Sequence, residues 1–123
     1  MNSNITMTKN FVLVKEPGGP FRKEGFPKAE EQLEWLQAKV DGYIETVPFK
    51  DVDKRILLIC NEEGKFREDC RPNICLEGDM IMGTVVFVSY NSEGDMLPLT
   101  DDQYEYIKST VPESMREKWF TLA

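Results

Sequence analysis

Apolar residues in this chain fall into short runs whose spacing changes from one to the next, and those changes mark the elements. Phe11-Val12-Leu13-Val14-Lys15 shows no polar alternation, which predicts a buried first strand. Pro17-Gly18-Gly19-Pro20 ends it, because proline lacks an amide donor and glycine permits positive φ. Phe21 to Phe26 reads as a short second strand, closed by Gly25 and Pro27. From Ala29 the period becomes helical. Leu33, Leu36 and Val40 recur at i, i+3 and i+7 with Ala29 one turn earlier and Trp35 at the edge, so a helix is expected over Ala29–Val40. Glu30, Glu31 and Glu34 lie toward its positive end and Lys39 toward its negative end. Asp41-Gly42 terminates it, with Gly42 placed for the left-handed conformation.

Two strand-like runs follow, Tyr43–Phe49 and Ile56–Cys60, separated by the polar segment Lys50 to Arg55 and followed by the turn Asn61-Glu62-Glu63-Gly64. They predict a hairpin at the centre of a small sheet. Tyr43, Glu45, Val47 and Phe49 share one face of the first run, and Pro48 removes a ladder donor, which puts this strand at an edge or ends it near Val47. Ile56–Cys60 is apolar on both faces, as an inner strand covered by helices on one side would be, and is expected to be the most buried segment. From Phe66 to Glu77 regularity is lost, which predicts a long, partly ordered loop over an end or face of the sheet, a kind of segment that often carries function. Met80-Ile81-Met82 leads into a second long strand, Gly83–Tyr90, rich in β-branched and aromatic residues. Asn91–Gly94 turns the chain, and Asp95 to Leu97 returns briefly as strand. Thr100-Asp101-Asp102-Gln103 is a capping box, and the helix it opens ends before Pro112. A last helix is expected from Pro112 to about Phe120, presenting Met115, Trp119 and Phe120. The fold class is α+β: one domain over residues 11–123 behind a flexible N-terminus of residues 1–10. It has a mostly antiparallel sheet of about four to five strands, one helix between the first and central strands, and two C-terminal helices.

Composition sharpens the picture mainly through charge. The 123 residues carry a formal net charge of −7, which weighs against direct nucleic-acid binding and against docking on an anionic membrane. Lys50 to Arg71 is balanced, whereas between Asn91 and Glu113 only Lys108 stands against Glu93, Asp95, Asp101, Asp102, Glu105 and Glu113. That acidity fits either a solvated helical face or a surface for a basic partner. No apolar run reaches membrane-spanning length, no N-terminal signal has a hydrophobic centre, and three cysteines are an odd count; together these predict reduced thiols in the cytoplasm.

Candidate chemistry is sparse. Histidine is absent, which removes Ser-His-Asp and Cys-His catalysis and histidine-based zinc sites. Cys60, Cys70 and Cys75 lack the spacing of a zinc ribbon or knuckle, and the paired acids Glu62-Glu63, Glu68-Asp69 and Asp101-Asp102 read as solvated turns. Neither Pro17–Pro20 nor the stretch near Gly83 has the strand–glycine–helix setting of a phosphate cradle. No cofactor, no metal and no catalytic residue is expected, and enzyme activity is not the favoured reading.

Y-I-E at Tyr43–Glu45, I-C-N-E-E-G-K at Ile59–Lys65, Pro72-Asn73, Gly83-Thr84 and a closing L-T-D-D-Q resemble an uncharacterised family of small proteins, classed as a domain of unknown function. Its members are carried by phages, plasmids and integrative elements, largely of Gram-positive bacteria. The resemblance covers about Phe11 to Lys108, and its most specific part is C-N-E-E-G-K. Where family members often have asparagine-arginine after the loop proline, this chain has Asn73-Ile74, so no role of that arginine carries over. The resemblance supplies no catalytic residue. It implies the setting of a mobile-element accessory factor that binds and inhibits host defence machinery, of the anti-CRISPR or anti-restriction kind, in the cytoplasm of the bacterial host. The partner expected is a host or effector protein such as a nucleic-acid-binding nuclease complex. The contact residues expected are Glu93, Asp95, Asp101, Asp102 and Glu105, with Arg67, Arg71 and Asn73 from the Phe66–Leu76 loop. The alternative is a small-molecule or nucleotide pocket beside that loop, with Asn61 and Lys65, joined by Arg67 and Asn73, as its polar lining.

Overall fold

A computed structural model describes residues 10–111. The expected helix from Pro112 and the N-terminal segment before Asn10 lie outside the described residues. Strands β1 (Phe11–Lys15), β2 (Phe21–Gly25), β3 (Ile44–Pro48), β4 (Ile56–Asn61), β7 (Val85–Tyr90) and β8 (Met96–Leu97) form one six-stranded sheet. Its order is β2-β1-β7-β4-β3, with β8 pairing the end of β7, and every pairing is antiparallel. β5 (Pro72–Leu76) and β6 (Asp79–Met82) make a separate two-stranded hairpin. The helices are α1 (Ala29–Val40) and α2 (Asp101–Thr110).

The architecture is therefore α+β and antiparallel, as the patterning predicts, with several corrections. The central strand is β7, which pairs with both β1 and β4; the β3–β4 hairpin forms one flank, with β3 at the edge, as Pro48 requires. The most continuously buried strand is β1, all five of whose residues are buried, whereas Leu57 of β4 is only half-buried. Both faces of the sheet are covered, which is why neither β1 nor β7 alternates. One face, with Val12, Val14, Ile59, Val86 and Val88, packs under Leu36 and Val40 of α1 and under Phe26. The other, with Phe11, Leu13, Ile56, Leu58, Val85 and Phe87, packs under Ile74, Leu76 and Ile81 of the hairpin and Ile107 of α2. Each fully buried Phe or Leu here contributes about 1.5–3 kcal/mol of transfer free energy. Phe49 and Phe21 meet Phe87 edge-to-face, with ring centroids 5.3 and 6.0 Å apart.

The Phe66–Glu77 segment is not a long loop. Its second half is β5, hidden from periodicity because a register shift between Pro72 and Ile74 leaves Asn73 and Ile74 both buried. Gly83-Thr84 separates β6 from β7, so Met80–Tyr90 serves two sheets rather than one strand. On α1, Leu33 is 57% exposed and stands off the core face. The left-handed residue closing α1 is Asp41 (φ 62), not Gly42. Gly42 is needed for a different reason: a Cβ there would lie 2.6 Å from Asn61 Nδ2. The capping box is present as expected, with Thr100 Oγ1 accepting from Gln103 N and Gln103 Oε1 accepting from Thr100 N.

Candidate functional site

The turn after β4 is built around Asn61. Its Oδ1 accepts from Glu63 N at 2.7 Å, the side-chain turn expected of asparagine. Its Nδ2 donates to Val40 O and Asp41 O, both at 3.0 Å, and so satisfies two carbonyls left over at the end of α1. Arg67 completes that cap. Its Nη1 donates to Asp41 O at 2.6 Å and its Nη2 to Asp41 Oδ2 at 2.8 Å, while Nε and Nη2 grip both oxygens of Asp69. A guanidinium at a helix C-terminus also complements the dipole. Hydrogen bonding to Asp69 and then to Asp41 raises the Arg67 pKa, and the same guanidinium holds Asp69 below the usual carboxylate range.

Asn73 sits in a second buried joint. The fully buried Lys15 donates to Asn73 Oδ1 at 2.8 Å, and Asn73 Nδ2 donates to Lys15 O at 2.7 Å and Gly83 O at 2.8 Å. Arg71 is exposed, and its carbonyl accepts from Gly83 N at 2.8 Å. The signature residues Asn61, Asn73 and Gly83 thus fasten helix, sheet and hairpin to one another. Gly64 belongs to the same set: it is buried, and a Cβ there would lie 3.0 Å from Met82 O.

Between β3–β4 and the β5–β6 hairpin opens a cleft of about 390 Å³. Val47, Leu76, Ile81 and Met82 supply apolar walls, and Phe66, 87% exposed, stands beside them. Glu45, Glu62 and Glu77 also line it, as do Lys65 and Asp79, which form an ion pair. Of the four polar residues expected to line a pocket here, Asn61 and Lys65 do so. Arg67 and Asn73 do not line it and are engaged as described. Cys60 also lines the cleft, and burial, with the nearby Glu45 and Asp79 carboxylates, pushes its thiol up to about 11. At neutral pH it is a protonated thiol and a poor nucleophile.

The acidic residues expected at a partner surface sit at the opposite end of β4, where β7 leaves the sheet. Asn91 Oδ1 accepts from Glu93 N at 3.0 Å and Asp95 N at 2.9 Å, fixing that turn. Asp101, Asp102 and Glu105 are exposed on α2, whose start is pinned by Gln103 Nε2 donating to Lys54 O, Arg55 O and Ser89 Oγ at 2.8–3.1 Å. That anchor was not anticipated, because its partners are 14 to 49 residues away in sequence. None of the five carboxylates forms an ion pair among the described residues. Lysines lie close by, each over a ring: Lys23 at 4.3 Å and Lys108 at 5.2 Å from Tyr104, and Lys54 at 5.0 Å from Tyr106.

Among the described residues no three His, Cys, Asp or Glu gather as metal ligands, and no helix is long and apolar enough to cross a membrane. A family model described as a domain of unknown function, DUF3846, matches residues 7–111. No curated protein and no solved structure matches the chain.

Proposed function

The chain belongs to the DUF3846 family, a domain of unknown function, and from that premise we propose that it is a small acidic accessory protein of a phage or other mobile element. It binds a host nucleic-acid-targeting defence complex by protein–protein contact and inhibits it, in the manner of an anti-CRISPR or anti-restriction factor, in the bacterial cytoplasm. The observation that supports this reading is the set of five exposed carboxylates, none in an ion pair among the described residues and one, Asp95, accepting from Asn91 Nδ2 at 3.1 Å, held on a tied turn and a capped helix. Carboxylates already fixed by their backbone lose little freedom on binding, and a basic nucleic-acid channel supplies the complementary charge.

Capture from a bacterial lysate containing defence nucleases identifies the partner, and its affinity is then measured at low and high salt. Affinity is expected to fall steeply with salt and to fall about tenfold or more when Glu93, Asp95, Asp101, Asp102 and Glu105 are neutralised together, which corresponds to at least about 1.4 kcal/mol. Salt-independent affinity that the neutralised variant retains refutes the reading. A second reading, a small-molecule pocket, is favoured by the cleft that Asn61 and Lys65 line. Its carboxylates are ill suited to phosphates, so a thermal-shift screen is expected to respond to organic cations and not to nucleotides.

A further inference from the structure

We propose that the cleft between β3–β4 and the β5–β6 hairpin receives an arginine side chain from the protein partner. This rests on the reading of the chain as a protein-binding factor and names where on it one basic residue is held. Three features of the cleft match the three parts of an arginine. The aliphatic walls, Val47, Leu76, Ile81 and Met82, suit a methylene stem, which side chains of this kind bury while keeping the charge at the rim. Glu45, Glu62 and Glu77 lie around the same opening and form no ion pair among the described residues, so a planar, five-donor head can be bonded from more than one side.

The third feature is Phe66. Phe66 is 87% exposed and lines the cleft, so its ring is open to a visiting group. Its ring face attracts a cation, and a guanidinium, flat and weakly hydrated, stacks there better than a compact ammonium does. The cation already present, Lys65, does not neutralise the site, since its ammonium is paired to Asp79. The Lys65–Asp79 pair leaves the remaining carboxylates to a visitor.

The test uses the full chain and a short extended peptide carrying one central arginine, titrated by calorimetry or followed by NMR. The same peptide with citrulline keeps the shape and one donor edge but puts a carbonyl acceptor in place of an amino group and loses the charge. Variants are F66A, the triple E45Q/E62Q/E77Q, and E30Q/E31Q/E34Q on α1 as a control that removes the same charge away from both acidic surfaces. All change exposed side chains, and unchanged urea midpoints establish that each is folded. The arginine peptide is expected to bind and the citrulline peptide to bind at least about tenfold more weakly, with F66A and the triple variant each losing about tenfold and the control unchanged. Absence of arginine-peptide binding, equal binding of the citrulline peptide, or full binding by F66A overturns the proposal. The wider reading is scored separately by nuclease inhibition: if F66A and the triple variant inhibit as strongly as the parent, the cleft is wrong while the inhibitor stands.

Discussion

Replacing Asn61 by alanine removes three hydrogen bonds from one buried place. The structure allows the cost to be built up. Two bonds from Nδ2 to Val40 O and Asp41 O, and one from Glu63 N to Oδ1, are each worth about 1 kcal/mol net. Asn61 is buried, so the orphaned carbonyls of α1 do not all regain water, though the exposed Asp41 regains part. The expected loss is about 2–3 kcal/mol, or roughly 8–12 °C in Tm for a chain of this size. Asn61→Asp adds a diagnostic. It keeps the acceptor for Glu63 N but turns a carboxylate toward two carbonyls and the negative end of the α1 dipole. The introduced carboxyl is expected to have a folded pKa above its unfolded value, so its penalty is largest at neutral pH and shrinks as pH falls toward the unfolded value. Urea unfolding followed by tryptophan fluorescence, to which Trp35 contributes from its edge-to-face packing on Phe26 beneath α1, measures both variants. If N61A unfolds within about 0.5 kcal/mol of the parent, the range of ordinary surface changes, Asn61 is not a joint of the fold and its amide is available to a ligand.

Three further outcomes follow from the same geometry. Gly64→Ala places a Cβ 3.0 Å from Met82 O and is expected to cost about 1–3 kcal/mol, whereas Gly25→Ala, whose nearest atom is Asn10 O at 3.9 Å, should shift the urea midpoint little; equal effects contradict the packing. The protonated Cys60 should resist a thiol reagent at mildly alkaline pH until the chain unfolds, while exposed Cys75 reacts at once, and mass spectrometry of the labelled peptides decides. Burial alone raises the Glu24 pKa, but hydrogen bonds from Lys39 and Arg22 outweigh it and leave the carboxyl below its ordinary value. Its contribution to stability is therefore complete above the unfolded pKa and is lost as pH falls through the folded one. E24Q should be less stable than the parent by about 0.5–1 kcal/mol at neutral pH and equal to it in acid, and a difference that does not change with pH rules the pairing out.

Most of the local structure was legible because its causes are local. The stop at Pro17–Pro20, the helical spacing over Ala29–Val40, the edge position imposed by Pro48 and the capping box at Thr100 each depend on residues within a turn or two. The misreadings share a non-local cause. Asn61 was legible as a turn residue, but the half of its amide that matters docks on a helix end 20 residues earlier. Lys15 closes the run read as a buried strand, but nothing local shows what its ammonium meets. It is buried because Asn73, 58 residues on, meets its ammonium, and that contact forms only once the β5–β6 hairpin is folded onto the sheet. A single bulge at Pro72/Ile74 made the hairpin look like a loop. The cleft was legible only in part: Asn61 and Lys65 line it while Arg67 and Asn73 do not, and its other walls come from β3, β4 and both strands of the hairpin, which no one stretch of sequence contains. The charge count between Asn91 and Glu113 was correct, yet it could not show that lysines from elsewhere in the chain, Lys23 and Lys54, lie over the tyrosines of the same helix.

We propose that inhibition of a nucleic-acid-targeting complex runs through the acidic surface. The most direct measurement is target cleavage by the captured nuclease, with and without the protein, compared with the variant neutralised at Glu93, Asp95, Asp101, Asp102 and Glu105. Cleavage should stop with the parent chain, recover as salt is raised, and proceed with the variant. Cleavage that continues at saturating parent protein, or that the neutralised variant blocks equally well, contradicts the account.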